Sequence, residues 1–171
     1  MRGLGLTASP EALAAQIDAV FEVAGAVRRL DGSRMLTEPE LFAEFARRLD
    51  FPGYFGHNWA ALEDCLANLE WLSAPAYLLV IDGAEHVLDE ADPAELAVFG
   101  ALLQRVAQTW SEPIEKGEWW DRPGMDFGVL LHSSTETGAE AGRSRWAAAG
   151  IELSPPTANT ASTDHTAPTA P

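Results

Sequence analysis

The sequence predicts a small α/β domain in which a three-stranded parallel sheet is packed by helices. Three short β-prone runs alternate with longer segments whose apolar residues recur at helical spacing, in the order β-α-α-β-α-β. Helical crossovers between consecutive strands place those strands parallel to one another. With 171 residues, 47% of them apolar, the chain is long enough for one domain with a substantial core.

The first predicted elements are a helix over residues 11–21 and a strand over residues 26–30. Ser9 and Pro10 supply an N-cap and a first-turn proline for that helix. The strand is closed by the turn signal Asp31-Gly32. We assign residues 1–25 to an N-terminal helical extension and residues 26–138 to the α/β domain.

Two helices are predicted between the first and second strands. Thr37 and Glu40 have the spacing of a capping box, and the helix that they open ends before Pro52. Asn58 caps the next helix. On a helical wheel its apolar face consists of Trp59, Leu62, Cys65, Leu66 and Leu69, and the opposite face centres on Asp64, flanked by Ala60, Ala67 and Asn68.

The second half of the domain contains two further strands and a long helix. Residues 77–81 are continuously apolar, the pattern of a strand covered on both faces. A capped helix then runs from Asp92 to about residue 108, and residues 127–131 form the third strand after a polar loop that carries Trp119-Trp120. We assign residues 139–171 to a C-terminal tail, either docked or loose at its start. The tail is predicted to be disordered from about residue 154, because 15 of the last 18 residues are Ala, Thr, Pro or Ser.

Charge is distributed unevenly along the chain. The formal net charge is −15, and residues 49–104 contain ten acids but no Lys or Arg. Such a segment favours a strongly positive partner, and it disfavours direct binding of nucleic acid or anionic membranes. Neither a membrane span nor an export signal is evident, so we expect a cytoplasmic protein.

Catalytic and metal-binding functions are not indicated. His57 and Cys65 could pair as base and nucleophile, but Cys65 falls on the apolar face of its helix, as a buried structural thiol does. Glu63 and Asp64 point about 100° apart on a helix, which is poor geometry for a catalytic carboxylate pair. The remaining acids and histidines lack metal-ligand spacing, and we expect no enzyme activity, no cofactor and no metal.

One motif carries a resemblance to a known family. Residues 52–66 follow the pattern P-x-Y-[YF]-G-x-N-x-x-A-L-x-D-C-L. Over residues 26–132 the chain resembles the barstar family of intracellular bacterial ribonuclease inhibitors. The resemblance implies a barstar-like fold and a protein, monomeric when free, that blocks the active site of a cationic secreted ribonuclease or related toxin with an acidic helix and the aromatic turn before it.

The resemblance also implies roles for single residues. Asp64 takes the position of the acid that enters the ribonuclease pocket where an RNA phosphate would lie. Tyr54 and Phe55 would pack beside that pocket, Asn58 would contact the partner as well as cap the helix, and Trp71 would be a flanking aromatic. The predicted partner-binding residues are Tyr54, Phe55, Asn58, Ala60, Glu63, Asp64, Asn68 and Trp71. Each has a structural alternative: Tyr54 and Phe55 as core residues, Asn58 as a cap alone, and the helix acids as a solvated face.

Departures from the family pattern leave the target open. A second acid of the family's helix corresponds to Ala60, an aromatic residue corresponds to Glu63, and no carboxylate occurs near Gln104 or Arg105, where the family has one. The alternative hypothesis is therefore an immunity or regulatory protein for a cationic partner that is not a ribonuclease.

Overall fold

The computed structural model describes residues 3–118 and 121–153. In chain order the strands and helices of these residues are β1 (Gly3–Thr7), α1 (Pro10–Glu22), β2 (Ala26–Asp31), α2 (Glu38–Arg48), α3 (Trp59–Asn68), β3 (Ala76–Asp82), α4 (Pro93–Ser111), β4 (Asp126–His132) and α5 (Glu136–Ala148). Short 3-10 turns follow β2, α3 and β3 at Gly32–Arg34, Glu70–Leu72 and Ala84–His86.

The strands form one parallel sheet in the order β1-β4-β3-β2. The predicted α/β class and the parallel arrangement are confirmed, but the predicted number of three strands is wrong, because β1 adds a fourth. This strand pairs with β4 from Gly3–Gly128 to Thr7–His132. Two of its five residues are glycines, which are depleted in strands, so its stability comes from pairing with β4 and from the burial of Leu4 and Leu6.

The two faces of the sheet are covered by different helices. Neighbouring residues of a strand point to opposite faces, so Leu78 and Val80 pack against Leu13 and Val20 of α1. Tyr77, Leu79 and Ile81 belong to the larger core, which α2 to α5 cover. Residues 3–22 thus supply an edge strand and the helix over one face, and they pack directly against the rest of the domain.

The helices begin where their capping residues predict. Ser9 Oγ accepts a hydrogen bond from the Ala12 amide at 3.2 Å, and an Asp92 carboxylate oxygen accepts one from the Ala94 amide at 2.9 Å. At α2 the Glu40 carboxylate accepts from both the amide and the hydroxyl of Thr37. These bonds satisfy backbone or side-chain donors that a helix start would otherwise leave unpaired.

The chain after β4 returns to the domain through α5. Trp146 is fully buried, and its indole N–H donates to the Ala84 carbonyl at 3.2 Å, while Arg145 donates to the carbonyls of Glu85 and Val87. Of the predicted tail, residues 139–148 therefore lie in a docked helix. The predicted disorder from residue 154 falls outside the described residues, and so does Trp119-Trp120. No helix of the described ranges is both long and apolar enough to cross a bilayer.

Candidate protein-binding site

The aromatic turn before α3 is held in place by one of its two aromatic rings. Phe55 is only 6% exposed and packs edge-on against Phe51, with ring centroids 4.9 Å apart, and against Phe42 at 6.3 Å. Tyr54 is 71% exposed. Of the two aromatic residues predicted to contact a partner, only Tyr54 is exposed to solvent. Phe55 lies in the core, where its packing holds the turn in place.

His57 and Asn58 complete the turn and start the helix. His57 has a φ of +48°, a left-handed conformation in which histidine is enriched, and its Nδ1–H donates to the Phe55 carbonyl at 2.9 Å. Asn58 Oδ1 accepts from the Ala61 amide at 2.9 Å, and its Nδ2 donates to the Gly56 carbonyl at 3.1 Å. The predicted cap is confirmed, and this exposed side chain links the turn rigidly to α3.

The outer face of α3 carries a row of three exposed side chains. Ala60, Asp64 and Asn68 are spaced four residues apart, so they lie along one line of the helix surface. The Asp64 carboxylate forms no salt bridge or hydrogen bond with any described residue. It is an unneutralised charge between two small uncharged side chains, as the helical wheel predicts.

Glu63, the neighbour of Asp64, is neutralised within the protein. Arg105 of α4 donates from Nε and from a terminal nitrogen to the two Glu63 carboxylate oxygens, at 2.8 and 2.7 Å. These hydrogen bonds hold the pKa of Glu63 below its usual value, although partial burial opposes them. The guanidinium remains about half exposed, so the site combines a free acid with an adjacent ion pair.

Trp71 has a structural role in the free protein. Its indole N–H donates to the Leu49 carbonyl at 2.8 Å, and its ring packs edge-on against Phe51 with centroids 5.8 Å apart. The side chain is half-buried, so part of it borders the turn at the surface.

Sequence reasoning missed a second link between α3 and its neighbours. The indole N–H of Trp59 donates to Glu38 of α2 at 2.8 Å and to Glu95 of α4 at 2.9 Å. The two carboxylates are drawn together at this donor, and hydrogen bonding to Glu38 raises the pKa of Glu95. The capping signals locate both acids in first helical turns, but nothing in the sequence places those turns side by side.

Bases from elsewhere in the chain pair with some acids of residues 49–104. Asp82 accepts two hydrogen bonds from Arg29, and Asp89 lies 3.8 Å from Arg145, in each case a base from outside residues 49–104. The negative charges of this segment are thus partly neutralised by Arg residues that lie elsewhere in the sequence but nearby in the fold. Of the two acids of α3, Asp64 keeps a free carboxylate.

The alternative of a reactive cysteine finds no support in the geometry. Cys65 is 5% exposed, and burial, with the negative charge of Asp64 as a smaller cause, raises the pKa of its thiol. Reactive thiols need the opposite environment. Within residues 3–118 and 121–153, no three His, Cys, Asp or Glu side chains are grouped so as to hold a metal ion.

The fold and this face define a small parallel α/β protein with a rigid turn and an exposed helix. The sequence model of the family described as Barstar (barnase inhibitor) matches residues 25–132. The chain belongs to the barstar family, a family of inhibitors and not of enzymes, and the predicted resemblance is confirmed. A search of curated proteins found no match.

Proposed function

We propose that this protein inhibits a cationic ribonuclease by covering its active site with α3 and the turn at Tyr54. The observation that carries the proposal is the exposed Asp64 carboxylate, which has no partner within the described chain. Membership of a ribonuclease-inhibitor family supports the target class. The inhibitor would be monomeric when free and would act in the cytoplasm of the bacterial cell that makes the ribonuclease, before export.

The chemistry of blockade follows from what a ribonuclease must bind. Its active site holds a phosphodiester with Arg, Lys or His side chains, and a carboxylate can satisfy the same donors with charge-assisted hydrogen bonds. Asp64 is suited to this because its small neighbours Ala60 and Asn68 let a pocket rim approach the helix closely.

The turn contributes contact area beside that charge. Tyr54 is mostly exposed, and an aromatic side chain with a polar tip supplies large contact area at small entropic cost. The buried Phe55 and the Asn58 cap fix its backbone, so little ordering is required on binding. We assign Phe55 and Trp71 indirect roles, as supports of the binding surface.

Net charge should accelerate association. A chain of formal charge −15 attracts a cationic partner over distances comparable to the Debye length, so association should slow as salt is added. This expectation follows from the family as much as from the charge, because barnase and barstar are themselves the standard example of such steering.

A second candidate function is an immunity or regulatory protein for a cationic target without ribonuclease activity. The Glu63–Arg105 ion pair favours it, because Arg105 neutralises the other acid of α3. Ala60 adds no charge of its own, so the face carries a single free acid. Such a surface fits a target with fewer cationic groups than a phosphate-binding pocket contains.

Inhibition assays distinguish the two functions. The purified protein is mixed with cationic ribonucleases from the same source, and cleavage of a fluorescent RNA is followed. The proposal requires that the protein inhibit at least one of these enzymes and that Asp64→Asn weaken this inhibition. Asp18→Asn is the control: it removes the same charge from an exposed position on α1 and should leave inhibition unchanged. Absence of inhibition, with capture of a cationic partner that cleaves no RNA, would establish the second function instead.

A further inference from the structure

A cavity of about 320 Å³ lies on the side of the sheet away from α3. It opens where β1 and β4 end, between the first turns of α1 and the residues that follow β4. The chain leaves β1 through α1 on one face of the sheet, and it leaves β4 through α5, which packs on the other face. In parallel α/β proteins, ligands bind at the carboxyl ends of strands where successive connections diverge in this way.

The wall of the cavity is apolar. It is formed by Ala8, which precedes α1, and by four residues of α1 itself: Pro10, Leu13, Ala14 and Ile17. All of them lie outside residues 25–132, the part of the chain that matches the barstar family. The apolar wall is therefore built by β1–α1 residues that precede the part of the chain matched by the family model.

Polar groups converge on the opposite side of the cavity, which Arg29, His132 and Ser134 line. Arg29 and His132 both bind Asp82, at the end of β3. Arg29 donates from Nε to one carboxylate oxygen at 2.9 Å and from a terminal nitrogen to the other at 2.6 Å. His132 Nδ1 lies 2.8 Å from the oxygen that accepts the terminal nitrogen.

Two side chains that can carry positive charge thus share one carboxylate. Arg29 keeps guanidinium N–H groups, and His132 keeps Nε2, that bind no described residue. A planar carboxylate can accept from two nitrogens of a guanidinium at once.

We propose that this cavity binds a small carboxylic acid with an apolar tail. The carboxylate accepts from the guanidinium N–H groups of Arg29 that Asp82 does not use, and the tail lies along Leu13, Ala14 and Ile17. Pockets for small molecules start at roughly 300 Å³ and combine apolar walls with a few placed polar groups, so the occupant is a short acid and not a long lipid. The site lies on the face opposite α3. Binding of an acid there is therefore independent of ribonuclease inhibition, and each proposal can be tested without the other.

The test uses hexanoate as probe and hexanamide as its neutral counterpart. Each is titrated into the isotope-labelled full-length protein, and backbone amide shifts are followed by NMR. We expect saturable shifts at Ala8, Ala14 and Ser134 with a hexanoate dissociation constant of about 1 mM, ordinary for a ligand of this size. Hexanamide should bind at least about tenfold more weakly, because it lacks the charge that Arg29 recognises.

A matched pair of variants locates the binding. Ala14 lines the cavity and Ala15, its exposed neighbour, does not. Ala14→Trp should fill the cavity and abolish the hexanoate shifts, whereas Ala15→Trp should leave them unchanged. Non-saturating shifts in the wild type, equal binding of hexanamide, or binding that survives Ala14→Trp in a folded protein would each overturn the proposal.

Discussion

Glu63 of α3 and Arg105 of α4 are joined by two parallel hydrogen bonds of 2.8 and 2.7 Å. They are 42 residues apart in sequence, and the pair ties the helix of the proposed interface to the long helix beside it. It also changes the electrostatics of that interface, because it neutralises Glu63 and leaves Asp64 as the unpaired acid of α3. The pair therefore bears on both the rigidity and the target of the protein.

Removing Arg105 should strengthen binding to a cationic ribonuclease. Arg105→Ala frees the Glu63 carboxylate and removes a positive charge that repels the partner, while an exposed pair of this kind contributes only about 0–1 kcal/mol to the free energy of unfolding. We expect a lower Kd and a faster association rate in surface binding measurements. Arg143→Ala, on an exposed position of α5, controls for net charge. Weaker binding of Arg105→Ala would instead show that the target presents an acid to Arg105.

Removing the Asp64 carboxylate should weaken binding more than any other single substitution on α3. Truncating one member of a buried, hydrogen-bonded charge pair costs about 2–5 kcal/mol of binding free energy, a range that rests partly on barnase–barstar measurements themselves. The corresponding loss for Asp64→Ala is roughly 30-fold to several thousand-fold in Kd. The increase in Kd should come mainly from a faster dissociation rate. A change of less than about threefold in Kd would contradict a central role for Asp64.

Replacing Asn58 should reduce both stability and affinity. Asn58→Ala removes the bond to the Ala61 amide and the bond to the Gly56 carbonyl, and loss of an N-cap costs about 1 kcal/mol in the free energy of unfolding. Denaturant unfolding measures that cost. Asn68→Ala, at the exposed last turn of the same helix, should stay within about 0.5 kcal/mol of the wild type. Equal stabilities of the two variants would show that the cap contributes nothing.

Features set by neighbouring residues could be predicted from the sequence. Capping residues such as Ser9 and Asn58 act within one helical turn, and apolar spacing identifies the buried face of α3 because it depends only on the helical period. The row of Ala60, Asp64 and Asn68 follows from the same period. These predictions need no knowledge of what the element packs against.

Features that depend on tertiary contact were missed. The short strand β1 contains Gly3 and Gly5, so it has little strand propensity and forms because β4 offers a parallel edge. Phe55 follows Tyr54 directly in the turn, and only the position of Phe42 and Phe51 determines which ring is buried. The ion pair of Arg105 could not be predicted for the same reason, since it requires the relative placement of two helices.

Cys65 should be unreactive in the native state. Its side chain is buried, and burial raises the pKa of the thiol, so little thiolate is present at neutral pH. We expect no modification by iodoacetamide at pH 7.5 over the time in which the urea-unfolded protein is fully labelled, with mass spectrometry as the readout. Rapid labelling of the folded protein would reopen a role for this thiol.

The carboxylate pair around Trp59 should make stability depend on pH. Glu38 and Glu95 both accept from the Trp59 indole N–H, and hydrogen bonding to Glu38 raises the pKa of Glu95 above its usual 4.5. The folded protein therefore binds more protons than the unfolded chain between pH 4.5 and the raised pKa, and the contribution of this site is lost as pH rises through that range.

At neutral pH the carboxylates of Glu38 and Glu95 repel each other, which destabilises the folded protein. Glu95→Gln should remove this destabilisation. The amide of glutamine can donate to Glu38 while its carbonyl oxygen accepts from Trp59, so both contacts persist without the second charge. We expect the urea midpoint of Glu95→Gln to exceed that of the wild type at pH 7, with the difference shrinking towards pH 4. Glu90→Gln, at an exposed position before α4, should show no such pH-dependent gain. A variant less stable than the wild type at pH 7 would mean that Glu95 is needed there as an anion.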